Sequence, residues 1–121
     1  MKNDVIAVVE DMIFASKIRA TGQAIGVQVH FVRSRDSLLQ LAREKKPDLI
    51  IIDLHNTATN PIDLGRAIKT ELELERSAVI GFFSHVNTEL QRTALAAGYD
   101  RVLPRSVFAR DLSEILKGNV G

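Results

Sequence analysis

"PDLIIIDLHN", residues 47–56, decides the fold. Leu49, Ile50, Ile51 and Ile52 follow one another without polar alternation, so a strand built from them is covered on both faces. That pattern marks a central strand of a parallel sheet flanked by helices. The run ends on a carboxylate, Asp53, with His55 two positions later. In open α/β sheets, ligands bind outside the carboxyl ends of the strands, so Asp53 stands where a site belongs.

Outward from this strand, strand-like and helix-like segments alternate. Upstream, "VIAVV" (5–9) is a β-branched run, and Ile13, Phe14, Ile18, Thr21 and Ile25 then recur at helical spacing. "VQVHFV" (27–32), after a helix stop at Gly26, suits a strand nearer the sheet edge, with His30 at that edge or facing outward. Ser34 or Asp36 caps a helix carrying Leu38, Leu39, Leu41 and Ala42; its "REKK" end complements the helix dipole, and Pro47 closes it. Downstream, the polar loop "HNTATN" leads to a helix opening at Pro61 or Ile62 with Leu64, Ile68 and Leu72 inward. "AVIGFF" (78–83) is the fourth strand, Asn87 to Gly98 a capped helix, "RVL" around Val102 a short fifth strand, and 107–117 a last helix. Val107, Phe108, Leu112, Ile115 and Leu116 are its inward residues. Five strands alternating with five helices predict one α/β domain over 1–121, a flavodoxin-like, doubly wound parallel sheet in the order 2-1-3-4-5.

Composition narrows the classes. The chain has 121 residues, 45% hydrophobic and 26% charged, which is enough for one domain with a real core. A formal net charge of +1 gives no global attraction to nucleic acid or an anionic membrane. Without cysteine there is neither a disulfide framework nor a thiolate metal site. Acidic residues interrupt "MKNDVIAVVEDM", and no apolar run approaches roughly 18 residues, so a cytoplasmic protein is expected.

The residues at the predicted strand ends are Glu10 and Asp11 after strand one, Asp53 on strand three, Ser84 and His85 after strand four, and Pro104, Arg105 and Ser106 after strand five. If strands one and three are neighbours, three carboxylates converge, and a hard cation such as Mg²⁺ offsets their repulsion.

On these residues the whole chain resembles the receiver domains of two-component response regulators: "VVED" (Glu10, Asp11), "LIIIDL" (Asp53), "GFFS" (Ser84) and "AGYDRVLPR" (Arg105). The resemblance implies a signalling module rather than an enzyme. In that reading Glu10, Asp11, Asp53 and the backbone of His55 hold Mg²⁺, and Asp53 accepts a phosphoryl group from a histidine kinase or phosphotransfer protein. Ser84 and Arg105 bind the phosphoryl oxygens, and the output passes to a downstream protein or a homodimer, with no direct contact to nucleic acid or membrane. A carboxylate is a sound acceptor where cations offset the charge.

The sequence also departs from the family's pattern. Arg105 replaces a lysine, Ser106 a usual proline, Val102 a frequent aromatic residue and His85 a small one, and the loop after Asp53 is longer and lacks an early proline. These departures define a second reading, a receiver that kept the fold and acts as a phosphorylation-independent interaction domain. Other histidine readings are weaker. "DLHNTA" has Ala58 where a cobalamin-type motif needs glycine, His55 and His85 have no spacing that enforces a metal site, and Ser84 lacks the glycines of a nucleophile elbow.

Overall fold

The computed structural model describes residues 4–71, 74, 76–84 and 87–118, so Leu72 and His85 lie outside the described residues. Five strands, β1 (Asp4–Val8), β2 (Gln28–Phe31), β3 (Leu49–Asp53), β4 (Ala78–Phe83) and β5 (Arg101–Pro104), form one sheet in the order β2-β1-β3-β4-β5. Every neighbouring pair is parallel. The helices are α1 (Met12–Ile25), α2 (Arg35–Lys45), α3 (Pro61–Thr70), α4 (Thr88–Ala96), α5 (Arg105–Arg110) and α6 (Leu112–Leu116), with a 3₁₀ turn at Thr57–Thr59.

Leu49, Ile50, Ile51 and Ile52 of β3 are buried, as an uninterrupted apolar run requires, and so is Asp53 at its end. Alternate strand residues serve opposite layers. Ile6, Val8, Ile50, Ile52, Val79 and Phe83 pack with α2, α3 and α4, whereas Val5, Ala7, Leu49, Ile51, Ile80 and Phe82 pack with α1, α5 and α6. β2 at the edge is only partly covered; His30 there is half-buried, its Nε2 3.4 Å from Asp4 Oδ1.

Local signals set most boundaries. Ser34 accepts a hydrogen bond from Ser37 N–H in a capping box, Asn87 from Leu90 N–H, and Pro61 opens α3 at its first turn. Gly26 ends α1 at φ 77°, a left-handed conformation that glycine adopts without steric cost.

Two expectations need correction. Ile13 is 83% exposed rather than inward, because Phe14, Ala15, Ile18 and Gly22 form the buried stripe and Ile13 sits about 100° away from Phe14 around the helix. The last helix begins at Arg105, directly after β5, and Asp111 (φ −99°, ψ 14°) divides it into α5 and α6.

Tyr99 was silent in the sequence. Its ring is buried, and its hydroxyl donates to the Pro61 carbonyl at 2.6 Å, tying the segment before β5 to the start of α3. Burial pushes this phenol's pKa above its ordinary value. Gly65 faces the ring so closely that a Cβ there would lie 2.8 Å from Tyr99 Cδ1. Among the described residues no helix is long and apolar enough to cross a membrane.

Candidate functional site

The parallel sheet brings the carboxyl ends of β1, β3, β4 and β5 to one edge, and each described candidate residue lies there. Asp53, the last residue of β3, pairs in register with Phe82 and is 8% exposed. Its Oδ1 accepts from His55 N–H at 2.9 Å, which fixes the turn leaving the strand; the His55 residue itself is exposed. Among the described residues no hydrogen bond is made to Asp53 Oδ2. Glu10 and Ser84 are exposed.

Asp11 is arranged differently. As N-cap of α1, its Oδ1 accepts from Ile13 N–H at 2.9 Å and Phe14 N–H at 3.2 Å, so it satisfies two of the backbone donors that a helix start leaves open. Its Oδ2 accepts from the Arg105 guanidinium at 2.6 Å. That hydrogen bond, followed by the one from Phe14 N–H, holds the Asp11 pKa below its ordinary value.

Arg105, the first residue of α5, also lies 4.5 Å above the centroid of the Phe14 ring, a cation–π contact. Phe14 in turn packs edge-on against Phe82 at 5.1 Å and tilted against Phe108 at 5.8 Å. The ion pair is therefore seated on the aromatic core of one layer, and it clasps the start of α1 to the start of α5.

Two clefts, each of about 580 Å³, open along this edge. The more apolar one lies between α1 and α5, lined by Ile13, Phe14, Lys17, Phe83, Ser84 and Arg105 among others, so it brings Ser84 and Arg105 together. The second is lined by Glu10, Met12, Val32, Arg33, Asn56 and Ala58 among others. Asp53 lines neither. Met12 and Ile13, one bordering each cleft, are 68% and 83% exposed.

The expected convergence of Glu10, Asp11 and Asp53 on a cation is not the arrangement found. Asp11 Oδ1 accepts from two backbone N–H groups, and Oδ2 faces the Arg105 guanidinium rather than the other carboxylates. Among the described residues no group of three or more His, Asp or Glu side chains is placed to hold a metal ion. As arranged, these residues do not fit Mg²⁺, because the carboxylates are not grouped around one point and Asp11 is engaged by Arg105. Val102 is buried in the layer of α2, α3 and α4, so the position holds no aromatic ring that could swing.

Sequence reading missed the Asp11–Arg105 pair and the role of Phe14 as its platform. Phe14 stands three residues after Asp11 on α1, which is a local signal, but Arg105 is 94 residues away and no sequence spacing connects it.

No family model matches the sequence, and no curated protein matches it significantly. Solved structures do match. A chemotaxis response regulator of Vibrio cholerae is 17% identical with a TM-score of 0.85, and 100% of each chain is covered. A response regulator from Hahella chejuensis is 20% identical with a TM-score of 0.86, over 96% of this chain and 93% of that one. A response regulator from Thermotoga maritima is 19% identical with a TM-score of 0.81, over 99% and 98%. At these identities the likeness establishes architecture: the chain has the receiver fold of response regulators.

Proposed function

We propose that this receiver-fold chain is a signalling module that works through protein contact at the carboxyl edge of its sheet, without phosphotransfer. The observation that supports this reading is the engagement of the Asp11 carboxylate by two backbone N–H groups and Arg105. A site arranged this way holds α1 and α5 together instead of assembling charge around Asp53. Beside the clasp, Met12 and Ile13 present exposed apolar side chains next to two clefts, a surface suited to a partner protein or a second copy.

The second reading is phosphotransfer to Asp53 from a histidine kinase or phosphotransfer protein. It is favoured by the position of Asp53 at the end of β3 and by an Oδ2 that makes no hydrogen bond among the described residues. For Arg105 to pair with the charge developing on the transferred group, its guanidinium must leave Asp11.

Intact-mass measurement after incubation with acetyl phosphate and Mg²⁺ separates the two. The interaction reading expects no phosphoryl adduct on folded wild-type protein. An adduct that disappears in Asp53→Asn establishes phosphotransfer in its place.

A further inference from the structure

We propose that Arg105 takes the place of a metal ion on Asp11, and that Ser106 is the residue that permits it. β5 ends at Pro104 and α5 begins at Arg105, so no loop residue separates strand from helix. Arg105 is therefore helical from the start. A proline at position 106 would oppose this, since the residue before a proline is driven out of the α region by contact with the pyrrolidine ring. Serine imposes no such restriction. The helical start sets the guanidinium against Asp11 Oδ2 at 2.6 Å and over the Phe14 ring at 4.5 Å, so it is held from two sides.

Arginine suits this place better than lysine. Its planar fork binds a carboxylate while its face lies on an aromatic ring, whereas a compact ammonium has no such face. Once Arg105 is seated, three N–H donors occupy Asp11, and the guanidinium offsets the charge of one of the three carboxylates that would attract a divalent cation. Arg105 and Ser106 are thus the pair that decides whether the edge responds to metal. This goes beyond the interaction reading, because a metal titration reports on it with neither partner nor phosphodonor present.

The test is thermal unfolding with MgCl₂ against NaCl of equal ionic strength, for wild type, Ser106→Pro, Arg105→Gln and each variant combined with Asp11→Asn. Wild type is expected to show no Mg²⁺-specific shift. Ser106→Pro is expected to gain a rise in Tm of about 4–7 °C when Mg²⁺ reaches roughly ten times its Kd, and Asp11→Asn is expected to erase the gain. Proline is tolerated in a first helical turn, where the N–H has no partner within the helix, so the variant is expected to fold. Should circular dichroism show that it does not, Arg105→Gln decides, since removing the guanidinium is expected to give the same gain. A Mg²⁺ response in wild type that depends on Asp11 overturns the proposal. So does a folded Ser106→Pro with no response, or, where that variant does not fold, an unresponsive Arg105→Gln.

Discussion

Asp11 and Asp53 stand at the ends of neighbouring strands, yet the fold uses them in opposite ways. The Asp11 side chain is 39% exposed and has three hydrogen-bond donors on its two oxygens. Asp53 is 8% exposed and has one donor among the described residues, the N–H of His55. The more accessible carboxylate is the more committed one. Accessibility alone is thus a poor guide to which acid is available for chemistry: Asp11 precedes a helix whose open N–H groups need an acceptor, while Asp53 precedes only a turn.

The largest expected effect tests the support beneath Asp53. Ile51 is fully buried in the layer of α1, α5 and α6, and Ile51→Ala is expected to cost about 2–5 kcal/mol in urea unfolding. A loss below about 0.5 kcal/mol would place Ile51 outside the core. Next comes the committed aspartate. Asp11→Ala removes an N-cap and an ion-pair partner together, and it is expected to lower Tm by about 3–6 °C. A drop no larger than that of Asp53→Asn would remove the contrast between the two.

The pH dependence sharpens the same comparison. Arg105 and the Phe14 N–H hold the Asp11 pKa below its unfolded value, so the folded state binds its proton less readily than the unfolded state. The resulting stabilisation is fully present above the unfolded carboxylate pKa of about 4 and is lost as pH falls through the lower folded value. Below about pH 4, therefore, Tm of wild type is expected to fall more steeply than that of Asp11→Asn. Parallel acid limbs would show that the pair contributes nothing to stability. The smallest expected effect belongs to Asp53→Asn. Asparagine keeps an oxygen for the His55 N–H and removes a buried charge, so the change is expected to cost under about 1 kcal/mol or to stabilise. A loss above about 2 kcal/mol would reveal a charged partner on Asp53.

Much of this protein was determined locally by its sequence. The unalternating run 49–52 specified a strand buried on both faces, and Ser34, Asn87 and Pro61 marked helix starts, because hydrophobic period and capping act over a few residues. The alternation of elements with short connections then left few topologies other than the observed parallel sheet. The strand-end positions of Glu10, Asp11, Asp53, Ser84 and Arg105 followed from that topology. What those residues do to one another did not. Whether Asp11 meets a cation from solvent or a guanidinium from 94 residues away depends on where α5 begins relative to β5, and that is settled only when both layers pack on the sheet. Ile13 shows the same limit, since its apolar character fits a helix but its direction is fixed by which stripe of α1 the sheet accepts. Sequence patterns encode neighbours along the chain, whereas the partner of a long side chain is chosen by distances that exist only after folding.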